Sequence, residues 1–151
     1  MTNEELTAAI GKIEAEAETR QGAQYLEAIL PNTKMHGFMK QLKEDTTLAF
    51  DYLICVTGVD HPDHMQMVYH LESTRHKHFM VVKVKTGNRE KPVVDSVSDI
   101  WPTAEFHERE AFDLLGISFS NHPDLRRMFL DDHWGHPLRK DYKDDIHIVT
   151  R

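Results

Sequence analysis

Between Glu105 and Asp113 the chain places four carboxylates and one guanidinium within nine residues: Glu105, Glu108, Arg109, Glu110 and Asp113. Paired carboxylates can do general acid/base work when both reach one substrate. The surrounding pattern is helical. At ~100° per residue Glu108 and Glu110 point about 200° apart and do not share a substrate. Glu105 and Arg109 are four apart, as are Arg109 and Asp113; each such pair is worth only ~0.3–0.5 kcal/mol in an isolated helix. Two carboxylates bracketing a guanidinium make better sense as a rigid, partly buried ionic scaffold.

Downstream runs Asn121-His122-Pro123-Asp124-Leu125-Arg126-Arg127-Met128. Pro123 stiffens its entry, and Asp124 is placed to cap a short helical turn. Arg126 or Arg127 can reach back to Glu108 and Glu110; a solvated basic turn is the other reading. The cluster His136-Pro137-Leu138-Arg139-Lys140-Asp141-Tyr142 is charged, with two apolar teeth. It reads as an extended arm with little to pack on in its own domain, laid instead on another protein. A frayed terminus is the alternative.

Other chemistries find less support. The chain has 11 histidines. His61 and His64 are three apart, as are His133 and His136, with Asp63, Asp131 and Asp132 nearby. They could bind zinc in a stand-alone metalloenzyme. Pro62 and Pro137 mark turns there, and surface histidines bonded within loops are the preferred reading. The single cysteine, Cys55, lies in an apolar strand and reads as buried and structural. It cannot pair within the chain or supply the thiolates of an iron–sulfur cluster. The seven glycines are too dispersed for a dinucleotide fingerprint or a P-loop.

The elements that must hold these groups follow from periodicity. Residues 3–18 predict a helix, with Thr2 or Asn3 as its cap. Residues 23–30 predict a short strand ending at Pro31, and 34–44 a helix with Met35, Phe38, Met39 and Leu42 on one face. Leu53–Val59 predicts a strand buried on both faces. Met65–Leu71 alternates, and Phe79–Lys85 is its hairpin partner. Val93–Val97 is a fourth strand or an extended segment. Residues 104–115 form the clearest helix, capped by Thr103 and ended by Gly116. The fold class is α+β, a small and mainly antiparallel sheet with packed helices and an extended C-terminal arm over about 121–151.

At 151 residues, with 40% hydrophobic and 28% charged side chains, the chain suits one globular domain, 1–151. Net charge is −7, and no third of the chain is basic, so a nucleic-acid partner is not expected. A local run of six basic residues and one acid spans 75–91 and reads as a lysine-protected sheet edge. No apolar run is long enough to span a bilayer and no signal pattern is present, so a cytoplasmic chain is expected, with membrane contact only through partners.

Three stretches carry a resemblance. Glu108-Arg109-Glu110-x-x-Asp113-Leu114-Leu115-Gly116-Ile117-x-Phe119, His122-Pro123-Asp124-Leu125-Arg126-Arg127 and Gly135-His136-Pro137-Leu138-Arg139-Lys140-Asp141-Tyr142 closely resemble the signature of one family of NADH:quinone oxidoreductase (complex I) components, the 30 kDa subunit or C-subunit family. Upstream, Asp51-Tyr52-Leu53, Thr57-Gly58-Val59-Asp60, Tyr69-His70-Leu71 and Ser96-Val97-x-x-Ile100-Trp101-x-x-Ala104 are also similar to it. The likeness spans about residues 30–145, with the signature region at 104–142. It implies a non-catalytic assembly subunit, peripheral on the cytoplasmic face of the inner membrane. Its partners would be the large 49 kDa-type catalytic subunit and a small cluster-bearing subunit. Flavin, iron–sulfur clusters, quinone or a nickel–iron centre would sit only in those partners. Docking would fall to Glu108, Arg109, Glu110, Asp113, Gly116, His122, Pro123, Asp124, Arg126, Arg127, His136, Pro137, Arg139, Lys140 and Asp141. The short segment between Leu130 and His136, with Trp134, is more similar to relatives in membrane-bound nickel–iron hydrogenases, archaea and phototrophs. An equivalent subunit of such a hydrogenase, or of a deazaflavin-coenzyme-dependent dehydrogenase, therefore stays open.

Overall fold

The computed structural model describes residues 1–144. In chain order the elements are α1 (Asn3–Ile13), β1 (Glu18–Gln21), β2 (Leu26–Pro31), α2 (Asn32–Glu44), β3 (Tyr52–Asp60), β4 (Met65–Ser73), β5 (His78–Lys85), β6 (Val93–Asp95), α3 (Ala104–Leu115) and β7 (Ser118–Ser120). The larger sheet has five strands in the order β1-β2-β5-β4-β3. All its pairings are antiparallel except β2 with β5. A second sheet pairs β6 with β7 in parallel. The α+β class expected from the sequence is what the chain forms.

Register puts the apolar set on one face. Leu53 lies opposite Leu71, Val56 opposite Tyr69 and Gly58 opposite Met67. Tyr69 in turn faces Val82, and Val82 faces Ala28. This row meets Leu6 and Ile10 of α1, Met35, Phe38, Met39 and Leu42 of α2, and Ala104, Ala111 and Leu115 of α3 in one core. The helices therefore cover one side of the sheet, and the amphipathic spacing of α2 gives the reason.

Several expectations need correction. The first helix stops at Ile13, and Glu18–Gln21 pairs with β2 as a strand. The apolar spacing continues to Ala17, but backbone pairing decides the outcome. Thr2 does cap α1 through a reciprocal bond with Glu5. Thr103 does not cap α3 with its side chain, since its own backbone is already helical. The turn bonds from Ala104 to Trp101 and from Glu105 to Pro102 start that helix instead. β3 is an outer strand, not one buried on both faces, and Tyr52, Ile54 and Val59 are exposed. Cys55 is only partly buried. The basic run at 75–91 is no sheet edge, because β5 lies between β2 and β4. There Lys83 meets Glu27 at 2.7 Å and Arg89 meets Asp60 at 2.9 Å.

Candidate docking region around the third helix

The ionic segment of α3 is buried rather than displayed: Glu108, Arg109 and Asp113 are all inside. Each is held by chain remote from its own helical turn. Glu108 accepts from the Ser96 hydroxyl at 2.6 Å and from the Val97 amide at 2.8 Å. Burial pushes its carboxyl up to about 7, against the lowering effect of these two donors, and the negative charge of Asp99 adds to the rise. The buried imidazole of His122 lies 3.8 Å away. Its Nδ1 accepts from the Asp124 amide at 3.0 Å, which leaves the ring hydrogen on Nε2, donating to the Glu105 carbonyl.

Arg109 does not pair with Glu105 or Asp113, as the four-residue spacing suggests. Its guanidinium donates to the carbonyls of Arg126 and Arg127 at 3.2 and 3.3 Å, and it sits over the Phe106 ring. Asp113 instead gathers the chain that follows. It accepts from the amides of Met128, Phe129 and Leu130 at 3.0, 2.6 and 3.1 Å, and from Arg127 at 3.0 Å. Burial alone would raise the Asp113 carboxyl, but these amides and the guanidinium hold it below the usual carboxylate range. Arg127 also donates to the Trp134 and Gly135 carbonyls. Neither arginine reaches Glu108 or Glu110. Arg126 pairs with Asp124 at 2.8 Å on the surface. Asp124 caps no helical turn, since residues 125–127 form neither helix nor turn.

The end of α3 is finished by the arm. A helix leaves its last four carbonyls without partners of its own. Here Phe112 is met by the Gly116 amide, Asp113 by His136 Nδ1, Leu114 by the Leu138 amide and Leu115 by Arg139 Nε at 2.7 Å. Gly116 adopts φ 71°, and a Cβ there would sit 2.5 Å from the His136 ring. Only glycine suits that backbone and that close approach. Pro137 lies between these two anchors. Further on, the Lys140 amide donates to Asp60 and Asp141 pairs with Arg89 at 2.9 Å. The expectation that the arm has little to pack on in its own domain is therefore corrected: it is extended in form, yet hydrogen-bonded to its own helix and sheet as far as Asp141. The part of the expected arm beyond residue 144 lies outside the described residues.

Sequence reasoning placed Ser96, Val97 and Asp60 only in the upstream stretches similar to the family and missed Arg89 and His107; it joined none of the five to this region. The histidine pairs do not come together as ligand sets. His61 and His64 stack at 4.5 Å and bond to Gln66 and Asp63, while His133 stays in its own turn and His136 covers Gly116. Among the described residues no group of three or more His, Cys, Asp and Glu side chains is arranged to hold a metal ion. No helix among them is long and apolar enough to cross a membrane.

Residues 28–146 match the family model described as respiratory-chain NADH dehydrogenase, 30 Kd subunit. Among curated proteins, the C subunit of the NADH-quinone oxidoreductase of Moorella thermoacetica is 41% identical over 129 residues, covering 83% of this chain and 85% of that protein. The C/D subunit of the NADH-quinone oxidoreductase of Phocaeicola vulgatus is 47% identical over 119 residues, 78% of this chain. The chain spans only 22% of that relative's length. Among solved structures, a chain of the membrane-bound sulfane sulfur reductase, an archaeal respiratory membrane complex, is similar with a TM-score of 0.80 and 28% identity. The match covers 93% of this chain and 85% of that one.

Proposed function

The chain belongs to the 30 kDa subunit family of respiratory-chain NADH dehydrogenase, and from that premise we propose that it is a positional subunit of a membrane-associated electron-transfer complex. It docks the large catalytic subunit and, beside it, the small cluster-bearing subunit. The partners hold the flavin, the iron–sulfur clusters and the quinone site, and this chain carries none of them. The observation that carries the reading is the inward use of three α3 charges. Glu108, Arg109 and Asp113 direct their hydrogen bonds to the chain's own backbone and hydroxyls, so they fix a shape rather than meet a substrate. The chain would reach the membrane, on its cytoplasmic face, through those partners; among the described residues no helix is long and apolar enough to cross one.

The test is affinity purification of the tagged chain from detergent-solubilised membranes of the source cells. The large and small oxidoreductase subunits are expected in the eluate, with every flavin and cluster signal following them. A chain recovered without them, or one holding a stoichiometric redox centre of its own, would refute the proposal.

The likeness to a chain of an archaeal respiratory membrane complex favours one second reading. The chain would then be the equivalent subunit of a hydrogenase-type or deazaflavin-dependent complex. Neighbouring reading frames separate the two. A flavin- and NADH-binding subunit indicates the first, and a nickel-ligating large subunit indicates a hydrogenase.

A further inference from the structure

The Nε2–H of His122 lies between two acceptors on α3. It donates to the Glu105 carbonyl at 3.0 Å, and Oε2 of Glu108 stands 3.8 Å away. Both side chains, His122 and Glu108, are shut off from solvent. The other ring nitrogen, Nδ1, accepts from the Asp124 amide at 3.0 Å. One imidazole therefore joins the first turn of α3 to the loop that leads into the arm. Its position is set by whichever acceptor holds the Nε2–H.

The proton of Glu108 decides between the two acceptors. Oε2 lies 2.6 Å from the Ser96 hydroxyl, and that hydroxyl is 2.7 Å from Ser98. A protonated carboxyl can place its hydrogen on Ser96, whose own hydrogen passes to Ser98. Oε2 is then a neutral O–H, and a backbone carbonyl is the better partner for the imidazole. The distances of 3.0 and 3.8 Å match this acid form. Once the proton leaves, Oε2 is half of a carboxylate, and hydrogen bonds to an ionised acceptor are roughly twice as strong as neutral ones.

The neighbours leave this choice to His122. Asp99, on the loop before α3, adds its negative charge and is itself 3.0 Å from His36 of α2. Tyr69 of β4 is wholly buried, its phenol pushed up by burial first and then by Glu108 and Asp95. Arg109 turns away to the carbonyls of Arg126 and Arg127. The Val97 amide is already bonded to Oε1. Among these groups the imidazole is the N–H donor still available to the carboxylate.

We infer that Glu108 and His122 form a proton-operated switch at the entry to the arm. When Glu108 gives its proton to solvent, the Nε2–H of His122 turns from the Glu105 carbonyl to the Glu108 carboxylate, and the Asp124 amide follows the ring. His122 keeps its single proton throughout. Closing 3.8 Å to the usual ~2.9 Å moves the imidazole by roughly 1 Å. The loop that moves carries the exposed Asp124–Arg126 pair, so the surface beside α3 takes one form in acid and another in alkali. The switch is internal to the chain and holds whichever complex the chain joins.

Amide NMR of the intact chain between about pH 5 and pH 8 tests it. The Val97 amide, bonded to Glu108, reports the proton directly, and the Asp124 amide reports the ring. Both signals are expected to shift with one shared midpoint at about pH 7. In Glu108→Gln neither should show that transition. In His122→Gln the Val97 transition should remain and the Asp124 transition should vanish, a separation that a merely structural imidazole does not produce. Nitrogen shifts of the His122 ring should keep the Nε2–H tautomer across the range. Four results overturn the inference: a Val97 signal without the transition, an Asp124 signal that stays still while Val97 moves, an Asp124 transition that survives either substitution, or a second proton arriving on Nδ1. All but the third are read from the unsubstituted protein, so a variant that does not fold leaves the inference open to refutation.

Discussion

Glu108→Gln gives the sharpest check on how α3 is held. Glu108 is wholly buried, and its carboxyl is raised from an ordinary 4.5 to about 7 by that burial. The folded protein therefore holds this proton more tightly than the unfolded chain does. The stability that follows is complete below pH 4.5 and is lost as pH rises through about 7. At about 1.4 kcal/mol per pH unit, the fold should lose roughly 2–3 kcal/mol from this one group between about pH 5 and pH 8. Glutamine keeps the geometry without the charge. Its carbonyl can accept from the Val97 amide, and its amide can donate to the Ser96 hydroxyl, which turns toward Ser98 at 2.7 Å. Urea unfolding of both proteins at several values from about pH 5 to pH 8 measures the difference directly. The two should converge at the acid end, and the glutamine variant should gain about 2–3 kcal/mol on the parent by the alkaline end. Parallel curves across that range would mean that burial does not raise the Glu108 proton affinity, and the account of this site would fail.

Other perturbations follow from the same region. Gly116→Ala forces a β-carbon into the left-handed backbone and against the His136 ring, so it should cost about 2 kcal/mol and lower the melting temperature; an unchanged melt would contradict the cap geometry. Asp113→Asn weakens the charge-assisted bonds that hold residues 128–130. It should cost about 2–3 kcal/mol, with faster amide exchange at those positions in particular. Arg126→Glu leaves only an exposed partner at Asp124, so thermal unfolding should be nearly unmoved, whereas Arg127→Glu, which brings a second carboxylate to Asp113, should unfold the arm. Cys55 should react slowly with a thiol reagent at neutral pH, because burial and then Glu110 hold the thiol protonated; labelling as fast as free cysteine would count against that.

The parts of the fold that the sequence made legible are those fixed by local pattern. Met65–Leu71 alternates because one face of a central strand is core. Gly116 ends α3 because no other residue takes that backbone conformation easily. β1 was invisible because Glu18–Gln21 carries no apolar residue; it is a strand only by virtue of β2 beside it. The candidate site divided the same way. Its residues were evident from the density of charge and from the family signature, but their partners were not. The four-residue rule pairs Arg109 with Glu105 or Asp113, while the folded chain turns it toward carbonyls 17 and 18 residues away. Asp60, Arg89 and Asp141 meet across separations of 29 and 52 residues, which no window of sequence reports. Burial of β3 on both faces was misjudged for a related reason: an outer strand and a central one can share the same apolar composition, and only topology separates them.

Three of the four carbonyls that end α3 take their donors from positions 23 and 24 residues later. As the polypeptide leaves the ribosome, the last turn of that helix stays wet until His136, Leu138 and Arg139 have emerged. A nascent chain halted near Gly135 would hold a helix frayed at its last turn. Completion of that helix end is thereby delayed until synthesis of this segment is nearly done.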